Sequence, residues 1–277
     1  MPLTVDALRP ADLEGALRLS TQAGWNQVAA DWQRIFALSP EGGLAGRWDG
    51  RLVATATVVS FGRTAQWIGM VLVDESMRGR GVGSTMFSRV IDLARERGGE
   101  AVGLDATDLG RPVYLKQGFA DVAPIDRWSG TLRAAGPADG PELVDRSTFD
   151  DVAALDRAAC GADRSAFLLH LMNEPGVVGV TLPGAGFGFL RPGRTRSHIG
   201  PLVAPDDEVC SRLLSRLARL SGGSPILLDA LRAPGASALL ERHGLEVARK
   251  LTRMTLGRPQ RLLMGDPVRA VVSFEWG

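Results

Sequence analysis

The sequence predicts an α/β (α+β) protein that contains two consecutive copies of one folding unit. Three observations support this fold class. Strand-like and helix-like segments of the first half follow the order β-α-α-β-β-β-α-β-α-β. A strand, a glycine-rich turn and an amphipathic helix follow one another between Met70 and Gly98. Short motifs of the first half return in the second half in the same order and at a nearly constant offset, which indicates a duplicated unit.

The first half opens with a strand and two helices. Residues 3–8 alternate in polarity, which predicts a strand. Apolar residues at helical spacing predict helices over residues 11–22 and 28–38. Ala23-Gly24 ends the first helix and Ser39-Pro40 ends the second, because glycine and proline interrupt helices.

Three antiparallel strands and a final β-α-β run complete the unit. Asp49-Gly50 lies between two apolar runs, which is the strongest short hairpin signal, and a second turn follows at Gly62-Arg63. These turns predict three strands, over residues 43–48, 51–61 and 64–73. Beyond the glycine turn and its helix we expect a strand, a short helix and an extended segment, over residues 101–106, 108–116 and 119–132.

The glycine turn, Arg78-Gly79-Arg80-Gly81-Val82-Gly83, connects an apolar strand to an amphipathic helix. On this helix Val82, Met86, Val90 and Ala94 keep a four-residue step, which predicts a buried face. Glycines permit positive φ and close approach of the backbone to a ligand. Free N–H groups at the helix start, together with the helix dipole, favour an anion such as a phosphate. The alternative is an ordinary glycine-rich connection with two solvated arginines.

Two motifs resemble the GNAT N-acetyltransferase superfamily. Arg78, Gly81 and Gly83 match its acyl-CoA signature, Arg/Gln-x-x-Gly-x-Gly/Ala, and residues 113–119 are similar to its Leu-Tyr-Glu-Lys-x-Gly-Phe motif. The turn matches neither a dinucleotide fingerprint nor a P-loop. The resemblance implies tandem GNAT folds, each a mixed, mostly antiparallel twisted sheet flanked by helices. It also implies acetyl-CoA as the acyl donor.

The resemblance places the cofactor along the fourth strand, the glycine turn and the short helix. The backbone of the fourth strand would bind pantetheine as an additional strand and polarise the thioester carbonyl, which requires this strand to splay from the fifth. Gly69 marks either a bulge there or a packing contact. Thr107 stands where the superfamily often has asparagine. The implied cofactor-binding residues are Val71, Leu72, Val73, Arg78, Gly79, Arg80, Gly81, Val82, Gly83, Ser84, Thr107, Arg111 and Tyr114.

The second half repeats the first. One of the matched motifs is Leu104-Asp105-Ala106, which returns as Leu228-Asp229-Ala230. We therefore expect a GNAT domain with the acyl-CoA site over residues 1–133 and a degenerate GNAT-like domain over residues 141–277. The small, Gly/Pro-rich stretch of residues 134–140 is the expected linker. The whole chain resembles the GNAT subfamily that carries such a second domain.

The second copy lacks the features of a cofactor site. Residues 209–214 take the position of the glycine turn and contain no glycine, and Leu240 takes the position of Tyr114. Without glycines, backbone N–H groups cannot close on a pyrophosphate. We therefore expect one acyl-CoA site per chain, in the first copy.

Tyr114 is the only tyrosine of the chain and stands at the position of the superfamily's general acid. Because its reference pKa is about 10, a phenol can protonate a leaving thiolate at neutral pH. The alternative role is an aromatic anchor for the short helix. As general base we prefer Asp105, at the end of the fifth strand, over Asp74 and Glu75. Each of these carboxylates is also suited to a cap or a turn, and an ordered water can replace a base.

Trp25, Asn26 and Gln27 join the first two helices, in a loop that roofs the acceptor pocket in the superfamily. The resemblance therefore implies that they bind the acceptor. Alternatively, Trp25 fills the core and Asn26 caps the second helix. Asp163-Arg164 is able to reach the same cleft from the second half, although a cap and an ion pair explain this dipeptide as well.

Composition disfavours several other functions. The 277 residues are 45% hydrophobic. A net charge of +1 gives no long-range electrostatic attraction to nucleic acid or to a membrane surface. Two cysteines cannot make a disulfide framework, and neither a signal peptide nor a membrane span is evident, so we expect a cytoplasmic protein. The three histidines are isolated in the sequence, so we expect no metal.

These features predict an N-acetyltransferase that moves an acetyl group from acetyl-CoA to the amine of a small molecule. We expect direct transfer in a ternary complex, because neither Cys160 nor Cys210 has the surroundings of a nucleophile. We expect a monomer that forms an internal pseudo-dimer, or a weak homodimer. The alternative is a non-catalytic acyl-CoA-binding sensor or regulatory module.

Overall fold

The computed structural model describes residues 3–137, 139–232, 235–257 and 261–277. The first copy consists of six strands and four helices close to the expected positions. They are β1 (Thr4–Ala7), α1 (Leu13–Gln22), α2 (Ala29–Leu38), β2 (Gly43–Trp48), β3 (Arg51–Phe61), β4 (Ala65–Val73), α3 (Val82–Glu96), β5 (Val102–Ala106), α4 (Arg111–Lys116) and β6 (Phe119–Thr131). Short 3-10 turns precede α1 and α3.

The second copy repeats this succession. Its elements are β7 (Glu142–Leu143), α5 (Phe149–Cys160), α6 (Ser165–Met172), β8 (Val178–Leu182), β9 (Gly186–Arg191), β10 (Ser197–Val203), α7 (Asp207–Leu220), β11 (Pro225–Leu231), α8 (Ala236–Arg242), β12 (Leu245–Leu256) and β13 (Val268–Ala270). Of the expected linker, residues 134–137, 139 and 140 belong to no helix or strand, and Ala138 lies outside the described residues. No helix among the described residues is long and apolar enough to cross a membrane.

The described strands form one mixed, mostly antiparallel sheet of thirteen strands, in the order β1-β2-β3-β4-β5-β12-β6-β11-β10-β9-β8-β7, with β13 on β10. The two copies exchange their long final strands. β12 of the second copy lies between β5 and β6, and β6 of the first copy lies between β12 and β11. The sequence did not predict this exchange. One continuous sheet therefore holds the copies together as an internal pseudo-dimer.

Helix α3 packs on the first copy's part of the sheet through the expected face. Val82, Met86, Val90 and Ala94 are all at most 3% exposed. They belong to a hydrophobic core with residues of β3, β4 and β5. This packing fixes the start of α3, and with it the glycine turn, against the end of β4.

Strands β4 and β5 diverge, as the resemblance implied. They pair in parallel only at Gln66 with Val102 and at Trp67 with Gly103. A bulge between β3 and β4 bends β4 away, and it lies at Met70, which has a φ of 48°. Gly69 is instead a packing glycine, because a Cβ atom there would lie 2.7 Å from the carbonyl oxygen of Glu275. The backbone of β4 beyond Trp67 thus faces a cleft.

The corresponding cleft of the second copy is filled by the chain itself. β10 and β11 pair over residues 197–199 and 226–228 before they part. β13 then pairs with β10, at Leu202 with Ala270 and at Val203 with Val268. The N–H group of Val271 also donates to the carbonyl of Asp229 on β11, at 2.9 Å. In the second copy, β13 therefore occupies the place between β10 and β11 that corresponds to the open cleft between β4 and β5 of the first copy.

Candidate active site

The turn that follows β4 is held by Asp74. Its carboxylate accepts from the Ser76 N–H at 3.1 Å and forms an ion pair with Arg18 at 2.7 Å. The hydrogen bonds from Ser76 and the charge of Arg18 lower the pKa of Asp74 to about 2, against the opposing effect of burial. Asp74 is therefore a capping residue with no spare oxygen for base catalysis, and Glu75 forms an exposed ion pair with Arg78 at 3.5 Å.

The glycine turn forms an open cradle at the start of α3. Gly79 and Gly81 have φ values of 75° and 77°, in the left-handed region that favours glycine. A Cβ atom on either residue would meet no atom within 4 Å, so the space above them is free for a ligand. The N–H groups of Val82, Gly83 and Ser84 begin α3 and have no acceptor within the helix. These groups suit phosphate oxygens.

Most of the predicted cofactor residues line one groove that runs from this cradle along β4 to α4. They are Val71, Val73, Arg78, Gly79, Gly81, Val82, Gly83, Ser84 and Tyr114. Leu72 points to the opposite face of β4 and is 4% exposed. The guanidinium of Arg111 forms a bidentate ion pair with Asp121. The Thr107 hydroxyl accepts from the Gly110 N–H at 3.2 Å, and Thr107 borders the neighbouring cavity described below.

Tyr114 lies where this groove meets the cavity. Its ring packs on Phe87, with 4.3 Å between the centroids. Burial raises the pKa of Tyr114 above its usual value of 10.0, so the phenol keeps its proton at neutral pH. The geometry is compatible with both a general acid and an aromatic anchor.

Gly110 leaves room for the Tyr114 ring. A Cβ atom on Gly110 would lie 2.9 Å from Cε2 and 3.0 Å from the hydroxyl oxygen of Tyr114. The helical φ and ψ of Gly110, −79° and −36°, suit alanine. We expect Gly110→Ala to displace the phenol and to lower kcat by about tenfold or more, since small misplacements of catalytic groups are costly.

Steady-state kinetics together with a CoA titration test this prediction. CoA affinity should fall much less than kcat, and Gly110→Ala should lower kcat no further in a Tyr114→Phe background. A full additional loss in that background would show that Gly110 acts independently of the phenol.

The cavity beyond Tyr114 has a volume of about 150 Å³ and is built by both copies. The first copy contributes the splayed part of β4, the end of β5 and the loop before α2. The second copy contributes β12 and the segment of residues 273–277. Its lining includes Trp25, Gln27, Leu104, Thr107, Arg127, Arg249, Leu251, Phe274 and Glu275. The second copy thus contributes part of the wall of this cavity.

Trp25, Asn26 and Gln27 have different surroundings. Trp25 and Gln27 line the cavity. The Asn26 side chain binds the backbone of residues 195 and 196 of the second copy, where it donates to the Arg196 carbonyl at 2.8 Å and accepts from the Thr195 N–H at 2.9 Å. The amide of Asn26 is therefore engaged in holding the two copies together.

Asp105 lies at the cavity wall but is committed to an ion pair. Its two oxygens accept from Nε and Nη2 of Arg253 at 2.9 and 2.8 Å, and both side chains are fully buried. An equivalent pair joins Asp229 on β11 of the second copy to Arg127 on β6 of the first, at 2.7 Å for both bonds. Because the same pair also forms at the aspartate of the copy without a cradle, the geometry favours a structural role over the general base that we expected.

Asp105→Asn is accordingly expected to act on stability. The substitution leaves the Arg253 guanidinium buried without a counter-charge, which costs about 3 kcal/mol of unfolding free energy. Chemical denaturation measures this loss. Asp121→Asn, which breaks the exposed pair with Arg111, is the control and should leave stability nearly unchanged, because solvent screens exposed ion pairs. A stable Asp105→Asn protein with no activity would restore Asp105 as the base.

The two cysteines and the dipeptide Asp163-Arg164 lie away from this chemistry. Burial raises the pKa of Cys160 and Cys210 to about 12, so neither provides a thiolate at neutral pH. Arg164 forms a buried ion pair with Asp156 at 2.6 Å, and Asp163 accepts from the Ser165 N–H at 3.0 Å. The cap and the ion pair thus explain the dipeptide.

Comparisons with known proteins agree with this geometry. A model of the acetyltransferase (GNAT) family matches residues 12–119, and a model of an acetyltransferase (GNAT) domain matches residues 152–265. The chain belongs to the GNAT acetyltransferase superfamily. It is a GNAT-type acyltransferase with a second acetyltransferase-like domain, and the superfamily's donors are acyl-CoA thioesters.

Two curated relatives match most of the chain. The chain is 29% identical to the uncharacterized N-acetyltransferase YitH of Bacillus subtilis, over 80% of each protein. It is 26% identical to the holothin acyltransferase of a Pseudoalteromonas species, over 91% of this chain and 87% of that protein. Both names support acyl transfer as the general reaction.

Solved GNAT structures share the fold. A crystal structure from Pyrococcus horikoshii, classed among the acetyltransferases, has a TM-score of 0.88 at 21% identity and covers 99% of this chain and 96% of that one. A tandem GNAT protein from the clavulanic acid biosynthesis pathway has a TM-score of 0.66 at 16% identity, with coverage of 92% and 98%. The second similarity supports the arrangement of two GNAT units in one chain.

Proposed function

We propose that this protein is an N-acetyltransferase that transfers an acetyl group from acetyl-CoA directly to the amine of a small molecule. One observation carries the proposal. The cofactor groove and the acceptor cavity are separate spaces that meet at Val71 and Tyr114. A thioester in the groove would therefore present its carbonyl to a nucleophile in the cavity.

The groove supplies the features that an acyl-CoA donor needs. The pyrophosphate would bind the free N–H groups at the start of α3, and the pantetheine arm would run along the unpaired edge of β4. When bound, acetyl-CoA supplies an acyl group activated as a thioester. Backbone N–H groups of residues 71–73 would polarise its carbonyl, and Tyr114 would donate a proton to the leaving sulfur.

The cavity supports a small acceptor. A volume of about 150 Å³ accommodates a small amine or its reactive end and offers no room for a folded partner. The walls combine apolar groups with the polar side chains of Gln27 and Glu275. Direct transfer is supported because both cysteines are buried with a pKa of about 12, which leaves no thiolate to carry the acetyl group.

Thiol release from acetyl-CoA in the presence of an amine panel tests the function. We expect thiol release that depends on the amine. Double-reciprocal plots of initial velocity should give intersecting lines when both substrates are varied. Parallel lines would indicate an acetylated enzyme and contradict direct transfer. Measurable CoA binding without turnover of any amine would favour the sensor or regulatory module instead.

A further inference from the structure

Four charged side chains line the acceptor cavity, namely Asp105, Arg127, Arg249 and Glu275. Arg249 is exposed, and of the other three only Glu275 has no ion pair with a described residue. Asp105 is neutralised by Arg253, and Arg127 by Asp229, each through two short hydrogen bonds. Glu275 is 4% exposed, and no cationic group of the described residues lies within ion-pair distance of it. Its side chain has one neutral contact, from Nε2 of Gln27 at 3.1 Å.

Arg127 and Arg191 attract Glu275 electrostatically, but neither hydrogen-bonds to its carboxylate. A buried carboxylate without a directly bonded cation is unfavourable, because burial removes its hydration. The neighbouring Gln27 lacks a hydrogen-bond partner for one of its side-chain atoms. Its side chain is 7% exposed, and its Oε1 atom is buried without a hydrogen-bond partner. Both side chains line the acceptor cavity. The cavity thus lacks a positively charged donor of hydrogen bonds at this place.

Packing and hydrogen bonds hold the backbone around Glu275 in place. Its backbone packs on Gly69, at the point where β4 begins to splay. The preceding carbonyl, of Phe274, accepts from Trp67 Nε1 at 2.9 Å, and the Phe274 ring lies 4.2 Å from the guanidinium carbon of Arg127. The carboxylate is therefore held in the same cavity that Tyr114 and Val71 border from the cofactor side.

We propose that Glu275 binds the ammonium group of the acceptor and takes its proton, so that the acceptor is an alkylamine that is protonated in solution. This inference rests on the proposed acetyl transfer. The ammonium group gives one proton to Glu275, and the freed nitrogen lone pair forms the C–N bond while the C–S bond breaks. The sulfur leaves with the phenol proton of Tyr114, and the second proton lost by nitrogen restores the phenol. The proton on Glu275 passes to solvent.

Glu275→Gln, which keeps the shape and removes the charge, tests the assignment with two probes of similar size. Benzylamine is protonated at neutral pH and aniline is not. We expect kcat/KM for benzylamine to fall about 100-fold in Glu275→Gln, because general bases contribute at least this factor, and that for aniline to change less than about threefold. Glu246→Gln, at an exposed glutamate of β12, should change neither. Equal effects on both amines, or none, would overturn the assignment.

A binding measurement decides the assignment without turnover. Benzylammonium should bind the CoA-saturated protein at least tenfold more weakly after Glu275→Gln, whereas Glu275→Asp, which keeps the charge, should retain part of the affinity. Unchanged affinity in Glu275→Gln, or no benzylammonium binding to the unmodified protein, would overturn it. Charge-dependent binding without acetyl transfer would contradict the proposed function and leave the Glu275 assignment standing.

Discussion

Gly83→Val is expected to weaken acyl-CoA binding at least 100-fold. The valine side chain would enter the cradle and keep phosphate oxygens from the N–H groups at the start of α3. Hydrogen bonds to charged groups are worth about 1.5–3 kcal/mol each, so the loss of two of them accounts for this factor. The fold should tolerate the change, because a Cβ atom at this position makes one ordinary contact, 3.5 Å from Cγ2 of Val73, and the backbone has no left-handed φ.

Calorimetric titration with CoA measures this effect, with a thermal melt to confirm folding. Arg212→Val is the control in the second copy. The sequence offset aligned Arg212 with Gly81, but this alignment was wrong, because α7 already begins at Asp207 with Asp206 at its N-cap and Arg212 therefore lies within the helix. We expect Arg212→Val to leave the affinity unchanged. Undiminished binding in Gly83→Val would show that the cofactor lies elsewhere.

Tyr114→Phe is expected to lower kcat by about 100-fold or more, since a general acid contributes at least this factor. Phenylalanine keeps the packing on Phe87, so the KM for acetyl-CoA should stay within about threefold. Steady-state kinetics at saturating acetyl-CoA measures both. If Tyr114 is only an aromatic anchor, Tyr114→Phe will retain the full kcat.

The pH dependence gives a second test of Tyr114. A general acid must be protonated, and it loses its proton as pH rises through its pKa. Because burial raises the pKa of Tyr114 above 10.0, this group should cause no fall in kcat below about pH 10. An alkaline fall near neutrality that disappears in Tyr114→Phe would contradict the raised pKa.

Local signals predicted the parts of the fold that depend on local structure. The Asp49-Gly50 hairpin, the glycine turn and the buried face of α3 each follow from residues close in sequence, and the structure confirms all three. The exchange of β6 and β12 was not predictable in this way. Their pairing joins Phe119 with Leu256 and Gly130 with Leu245, and no local pattern encodes such distant partners.

Of the residues that line the acceptor cavity, the sequence pointed to Trp25 and Gln27 but not to those of the second copy. The cradle is a continuous motif, whereas the acceptor cavity is assembled from loops and from the other copy. The sequence suggested Asp105 as a general base because it does not reveal the ion-pair partner, Arg253, which is 148 residues away. Glu275 belongs to no motif, and only the packing of residues 273–277 on β4 brings it to the cavity.

The second copy keeps the scaffold of the first copy but not its glycine cradle. The sheet, the buried Asp–Arg pair and the order of elements are retained. The glycines are absent, and β13 with Val271 fills the cleft between β10 and β11. What remains contributes to the first copy, through β12 and through Phe274 and Glu275 at the acceptor cavity.

A crystal structure of the protein with CoA tests the single-site claim most directly. We expect one CoA per chain, with its pyrophosphate at the N–H groups of residues 82–84, its pantetheine arm along β4 and its sulfur beside Tyr114. The cleft between β10 and β11 should still contain β13. A CoA molecule bound between β10 and β11, or a first-copy cleft that stays empty at saturating CoA, would contradict the claim.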